Sequence, residues 1–316
     1  MQQNIIEYWR EQIVSELFKL NSFKNLWPTW KPQLQYHMTP FNANNVFNSG
    51  DYLYDVFKSP GIKGRGQGDL SSSGTAWESL VCWYLNLNLI GRNTIVVKHK
   101  KGFIPEPISD AITVKYGTSI SNTESDLIAI TFPSDSLLSI DKDSITLNDA
   151  TGAPVVLYKT TRSKYNLKGV IDALANKFFS QLEIHIIQCK TNWNDNAQIP
   201  MLWDMVYSAK GFSSSKITVG QAGRLLSYVK RFTYSFVTVP TVEISKIKPT
   251  SICVDRVDDL TGGNYWGKPS KSKIADNIKE MLTKNLSTGH VSPILTTLNA
   301  EISRSDFSSV YEYFNL

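Results

Sequence analysis

The sequence has few of the features that mark secreted, zinc-binding or membrane proteins. Its 316 residues include three cysteines, Cys82, Cys189 and Cys253, which are far apart and odd in number. Without CxxC or Cys/His spacing they argue against a zinc site or a disulfide framework and favour a reducing cytoplasm. No apolar run approaches the roughly 20 residues of a transmembrane helix, and the first ten residues lack the regions of a signal peptide. We therefore expect a cytoplasmic protein with no membrane partner.

The sequence also lacks a large excess of charge of either sign. The chain has 33 lysines and arginines against 28 aspartates and glutamates, for a formal net charge of +5 and a pI of about 8.9. Its 41% hydrophobic and 19% charged residues are typical of an ordinary globular protein. This mild excess of positive charge suits a polyanionic partner without requiring one.

The strongest pattern present is a β-branched apolar run from Ile184 to Ile187 that ends in Gln188, Cys189 and Lys190. Such a run predicts a strand buried on both faces in the middle of a sheet. Because strand side chains alternate, Gln188 and Lys190 project from one face and Cys189 from the other. A buried ammonium needs a partner, so we expect Lys190 to lie beside carboxylates, a bound anion or water.

Two carboxylates are candidate partners for Lys190. Asp126 follows a polar loop and precedes a second apolar strand, and Glu78 lies near the start of an amphipathic helix predicted over 75–89. Each residue has a simpler interpretation. Lys190 would be the first solvated residue after a core strand, Asp126 would be part of a turn, and Glu78 would close a capping box with Thr75.

The arrangement of Glu78, Asp126 and Gln188-x-Lys190 on helix, strand and strand resembles the PD-(D/E)xK nuclease superfamily. Length and basic composition are similar to those of its type II restriction endonucleases, and the resemblance covers roughly residues 68–207. Two positions depart from the pattern. Ser125 precedes Asp126 where proline is usual, and Gln188 replaces the acid of the (D/E)xK motif. Glutamine occurs there in some members, where its amide oxygen still faces a metal, but it removes a charge.

The resemblance implies an α/β fold with a central mixed sheet flanked by helices, a restriction-endonuclease-like core with N- and C-terminal decorations. We expect residues 1–67 to form a helical and irregular segment packed on the core. Residues 68–240 would form the nuclease core, and residues 241–316 a C-terminal helical and loop extension. The whole would make one compact domain.

The resemblance also implies the chemistry. Asp126, the backbone carbonyl of Cys189, Gln188 and Glu78 would hold Mg²⁺, whose preferred ligands are oxygens, and Lys190 would orient the attacking water. We therefore expect a sequence-specific endonuclease that cuts double-stranded DNA as a homodimer on a palindrome, with a cognate methyltransferase in the host. The alternatives are a structure- or modification-directed nuclease of this superfamily and a non-catalytic DNA-binding protein with a degenerate nuclease fold.

Three polar loops are candidate DNA contacts. The first is rich in glycine and basic, the second follows Lys190, and the third interleaves lysines with aromatic residues. Each is also explained as a solvated surface loop, but if the nuclease hypothesis holds they would contact phosphates or bases. Their candidate residues are Lys63 and Arg65, Asn192 and Asn194, and Lys268, Lys271 and Lys273.

Periodicity predicts the remaining elements. Residues 5–20, 167–179 and 274–286 have helical spacing, and residues 94–98 and 230–237 have strand patterns. Residues 141–158 predict a hairpin with its turn at 148–152. Residues 21–60 are expected to be irregular because proline interrupts them.

Overall fold

The computed structural model describes most of the chain. The described residues are 3–60, 67–98, 100, 102–121, 125–159, 164–191, 217–239, 264–265, 278–286, 290 and 292–316.

A mixed five-stranded β-sheet forms the centre of the described structure. Its strand order is β1-β4-β7-β9-β10, with β1, β4 and β7 antiparallel to one another and β7, β9 and β10 parallel. The sheet confirms the predicted mixed α/β class. Its strands are β1 (Thr94–Lys98), β4 (Leu127–Thr131), β7 (Glu183–Lys190), β9 (Arg231–Thr238) and the two-residue β10 (Asn264–Tyr265).

Strand β7 lies in the middle of this sheet, as its apolar run predicted. Every residue from Ile184 to Cys189 is buried, and only the terminal Glu183 and Lys190 are partly exposed. Antiparallel pairing places Leu127 of β4 opposite Ile187, and parallel pairing places Ser235 of β9 opposite the same residue. Residues that are β-branched pack well in a strand covered on both faces, so burial and propensity agree here.

Helix α6 (Gln67–Asn88) is longer than the predicted helix over 75–89. Its residues from Ala76 onward carry large side chains such as Trp77 and Trp83 that are fully buried. The helix contacts β1 and β7. Thr75 is therefore in the helix interior, and the prediction that it is the N-cap is wrong.

The segment 21–60 is helical, which corrects the expectation of irregular structure. Pro28 lies in the first turn of a helix, where no N–H is needed, and Pro32 is tolerated inside it. Trp27, Trp30 and Leu34 are buried on one side, so tertiary packing outweighs the local cost of proline. The N-terminal helices are α1 (Ile5–Leu17), α2 (Asn21–Lys24), α3 (Trp27–His37), α4 (Ala43–Asn48) and α5 (Leu53–Lys58).

Side chains close the outer edge of strand β1. The carboxamide of Asn86 in α6 donates to the carbonyl of Val96 at 2.8 Å and accepts from the amide of Val96 at 3.2 Å. Arg10 of α1, fully buried, donates to the carbonyl of Thr94 at 3.0 Å and forms an ion pair with Glu7. Asn86 thus replaces the peptide group of a further strand, which satisfies an edge that would otherwise be open to pairing.

The other elements surround this core. A three-stranded sheet has the order β3-β2-β8, and a two-residue pair joins β5 to β6. The turn at 148–152 is present, with Asp149 accepting from Thr151 and Ala153, but regular strands do not flank it. These elements are β2 (Val114–Tyr116), β3 (Ser119–Ser121), β5 (Tyr158–Lys159), β6 (Lys164–Tyr165), β8 (Ile217–Val219), α7 (Glu106–Ile112), α8 (Leu167–Phe178), α9 (Ser292–Ile302), α10 (Phe307–Val310) and the π-helical Met281–Asn285.

Among the described residues, no helix combines the length and apolarity that crossing a membrane requires.

Candidate functional site

Asp126 is anchored to the end of the central strand. Its Oδ2 accepts a hydrogen bond of 2.7 Å from the backbone amide of Cys189. Leu127 is the first residue of β4 and pairs with Ile187, so continuing this register places Asp126 opposite Gln188. The Asp126 side chain thus accepts a hydrogen bond from an amide of β7 that lies beyond the end of β4.

Gln188 and Lys190 share the face of β7 that the alternation predicts, but Gln188 is deeply buried. Its Oε1 accepts a 2.6 Å hydrogen bond from the hydroxyl of Tyr234 on β9. A carbonyl oxygen has two lone pairs, so one acceptor position of Gln188 is already used. The expectation that this oxygen contacts a metal stays a prediction.

Lys190 lies half-buried at the rim of the sheet, where apolar packing stops. Its carbonyl accepts from the amide of Val239, while its ammonium forms no ion pair within the described part of the chain. Its positive charge is close enough to Asp126 to lower the pKa of that carboxyl group. The hydrogen bond to Cys189 places the Asp126 carboxylate beside the residue that precedes Lys190.

Glu78 forms an ion pair with Lys98, the last residue of β1. The distance from Lys98 Nζ to Glu78 Oε2 is 2.5 Å, and the same ammonium donates to the carbonyl of Thr75 at 3.2 Å. The capping-box alternative for Glu78 is therefore wrong, because its helix begins at Gln67 and its carboxylate binds a lysine. The sequence predicted a strand over 94–98 but no ion pair between its last residue, Lys98, and Glu78. The only sequence signal for this ion pair was that Lys98 ends a predicted strand that follows the predicted helix carrying Glu78.

The carboxyl group of Asp126 is hard to ionise in this environment. Burial, followed by the negative charge of Glu78, raises its pKa to about 6. The Cys189 amide and the charges of Lys190 and Lys98 act in the opposite direction. A buried carboxylate with a raised pKa gains stability from a nearby cation, and such groups are frequent at functional sites.

Cys189 contributes its backbone groups, rather than its thiol, to the candidate site. Burial raises the pKa of this thiol well above its usual value, so the sulfur stays protonated and is a poor nucleophile. Within a strand, the carbonyl and amide of one residue point to the same side. Because the amide of Cys189 binds Asp126, its carbonyl faces the same side of β7.

These residues fit the donor set that Mg²⁺ prefers. The carboxylate of Asp126 and the carbonyl of Cys189 are hard oxygens directed to one side of β7, and Mg²⁺ is commonly held by one or two carboxylates with several waters. Among the described residues, no group of three or more histidines, cysteines or acids is placed to bind a metal. A magnesium site here would therefore depend on the main-chain oxygen and on water.

A second buried polar cluster lies around His185 on β7. The ring Nδ1 bonds Thr233, and Nε2 lies 2.7 Å from the Ser235 hydroxyl and 3.3 Å from the Asn285 amide nitrogen. Burial, with a smaller effect of the charge of Arg231, lowers the pKa of His185 to about 3. The ring is neutral and both of its nitrogens are hydrogen-bonded to neighbouring side chains, which indicates a structural role.

The predicted DNA-contacting residues are not placed by the structure. Lys63, Arg65, Asn192, Asn194, Lys268, Lys271 and Lys273 lie outside the described residues.

Comparison with protein-family models and with curated proteins found no match to this chain.

Proposed function

We propose that this protein is a Mg²⁺-dependent, sequence-specific endonuclease for double-stranded DNA, built on a restriction-endonuclease-like core and acting as a homodimer. One observation carries the proposal. The carboxylate of Asp126 is fixed on the amide of Cys189, at the end of the strand that presents the ammonium of Lys190. An acid that can hold a divalent cation and a lysine at the same sheet rim suit metal-assisted phosphodiester hydrolysis.

The residues would act on a substrate that is itself anionic. Asp126, with the carbonyl of Cys189, would hold a divalent cation, which supplies a bound water of lowered pKa and neutralises charge on the phosphate. Lys190 would orient the attacking water and stabilise the developing negative charge on the phosphate oxygens. The buried Tyr234–Gln188 hydrogen bond would fix the strand segment that carries Lys190.

Two contacts favour a second candidate, a DNA-binding protein without catalytic activity. Gln188 supplies no charge and its oxygen already binds Tyr234, while the carboxylate of Glu78 is neutralised by Lys98. If both arrangements persist when DNA is bound, Asp126 is the one carboxylate left to hold a cation among the described residues of the candidate site.

Cleavage and binding assays on plasmid and phage DNA distinguish these candidates. We expect discrete fragments with Mg²⁺ and none with EDTA. Asp126→Ala and Lys190→Ala should each lower the cleavage rate by at least about a hundredfold while leaving DNA affinity within a few-fold, because both act on the reacting phosphate. Lys24→Ala, which removes an exposed lysine from α2, is the matched control and should cut at the wild-type rate.

Three other results would change the conclusion. A smear, or a preference for branched DNA, would indicate a structure-directed nuclease. Binding without cutting in any divalent cation would support the non-catalytic candidate. Cleavage by Asp126→Ala at the wild-type rate would show that the metal ligand has been misplaced.

A further inference from the structure

Lys98 occupies a position that links the edge strand to both carboxylates of the candidate site. It ends β1 and pairs with Leu127, the residue that follows Asp126. Its ammonium bridges Glu78 and the carbonyl of Thr75, at 2.5 and 3.2 Å. The charges of both Lys98 and Glu78 reach Asp126. One lysine thus connects the helix acid, the helix backbone and strand β4, which begins directly after Asp126.

We infer that Lys98 is a positioning residue which holds Glu78 in the metal-free protein and competes with a divalent cation for the Glu78 carboxylate. This inference rests on the proposed function, since it assigns a regulatory contact to the same site. Glu78 can bind a cation only when its ion pair with Lys98 opens.

The charges around the site support this competition. Among the described residues that influence Asp126, the formal charges of Asp126 and Glu78 are balanced by those of Lys98 and Lys190. A divalent cation adds two positive charges to this partly buried region, which is costly unless an anion enters or a cation leaves. A DNA phosphate supplies negative charge, so metal and DNA should bind cooperatively.

The structural surroundings of Lys98 make the competition local. Both side chains of the ion pair are about one-fifth exposed, at 19% for Lys98 and 21% for Glu78, so solvent screens the pair only in part. Asn86 and Arg10 fix the backbone of β1 next to Lys98. The strand therefore cannot easily move, and opening of the pair requires a rotation of the lysine side chain.

A double-mutant cycle on metal binding tests this inference without DNA or cleavage. The variants are Lys98→Met, Glu78→Gln and the double variant, with Mn²⁺ affinity measured by titration calorimetry. We expect Lys98→Met to bind Mn²⁺ about tenfold more tightly than the wild type. Glu78→Gln should change affinity less than about twofold in the wild-type background and about tenfold in the Lys98→Met background.

Controls separate competition from general electrostatics and from misfolding. Lys190→Met also removes a positive charge near Asp126 but does not contact Glu78, so Glu78→Gln should remain nearly silent in that background. Lys98→Arg keeps the charge and should retain the low wild-type affinity. If Lys98→Met fails to fold, Lys98→Gln replaces it in the cycle.

The outcomes distinguish this inference from the proposed function. Additive effects of Glu78→Gln and Lys98→Met on binding that Asp126→Asn abolishes would overturn the role of Lys98 and leave the metal site standing. Mn²⁺ binding to Lys98→Met but not to the wild type would support the competition directly. Absence of binding in every variant would overturn both proposals.

Discussion

Two opposing effects act on the ionisation of Asp126: a hydrogen bond favours the carboxylate, and its buried, negatively charged surroundings disfavour it. The amide of Cys189 stabilises its ionised form, but burial and the charge of Glu78 outweigh that effect and raise its pKa to about 6. A carboxyl group whose pKa rises on folding stabilises the protein only while protonated in the folded state. Its contribution is fully present below about pH 3.8 and is lost as the pH rises through about 6.

Asp126→Asn should therefore stabilise the metal-free protein at pH 8, because asparagine can accept the same amide hydrogen without a buried charge. We expect a gain on the order of 2–3 kcal/mol in the free energy of unfolding at pH 8, which disappears near pH 4. Urea denaturation at the two pH values measures it.

A turn aspartate provides the matched control for this prediction. Hydrogen bonds from Thr151 lower the pKa of Asp149, so Asp149→Asn should destabilise the protein slightly at pH 8 rather than stabilise it. Equal stability of wild type and Asp126→Asn at both pH values would show that Asp126 ionises freely in the folded state.

At the scale of elements, the structure depends on how helix α6 meets the edge of the sheet. Asn86 accepts from Arg10 and Val96 and donates to Val96 and Cys82. Two residues later, Asn88 is equally buried but donates only to Tyr84, and its Oδ1 has no hydrogen-bond partner among the described residues. The two asparagines have the same chemistry and different surroundings.

This pair gives an internal comparison of buried amides. Asn86→Leu should lower the free energy of unfolding by about 3–5 kcal/mol, because it leaves buried groups of Val96 and Arg10 unpaired. Asn88→Leu should cost less than about 1 kcal/mol, because one of its polar atoms already lacks a partner. Denaturant unfolding of both variants checks the difference, and equal losses would show that the edge is not held by Asn86.

At the scale of the whole molecule, distant parts of the chain close around α6. The indole of Trp83 donates to the carbonyl of Phe314 at 3.1 Å, and α1 packs against the last turn of the chain, Glu312–Phe314. The sheet interior also encloses His185, whose neutral ring bonds Thr233 and Ser235. Stability thus depends on groups that are far apart in sequence and are buried only in the assembled fold.

The pH dependence of stability should show the burial of His185. A histidine whose pKa falls from 6.5 to about 3 on folding stabilises the protein fully above pH 6.5, and this contribution is lost as the pH falls. His185→Gln, which keeps hydrogen-bonding groups without titrating, should remove a loss of about 1.4 kcal/mol per pH unit between pH 6 and pH 4.

The slope of unfolding free energy against pH measures this effect. Because Asp126 contributes a slope of opposite sign in the same range, the wild-type curve should be flatter than that of Asp126→Asn. A His185→Gln variant with the wild-type slope would contradict the lowered pKa of His185.

Several elements could be predicted from the sequence because their patterns report burial directly. The β-branched run of β7, the helical spacing of α1 and α8, and the alternation of β9 each reflect the side of the element that faces the core. The same local reasoning identified Asp126 and Lys190, since polar residues at the ends of buried strands stand out against apolar neighbours.

Other features were decided only by tertiary structure. The helices of residues 21–60 form despite their prolines because Trp27 and Trp30 are buried against the rest of the core. Lys98 binds Glu78, and Gln188 binds Tyr234, through contacts that span 20 and 46 residues. The pattern of residues along the chain indicates which side chains are apolar and are therefore buried. The pairing of distant polar groups depends instead on where packing places their backbones, which only the assembled fold determines.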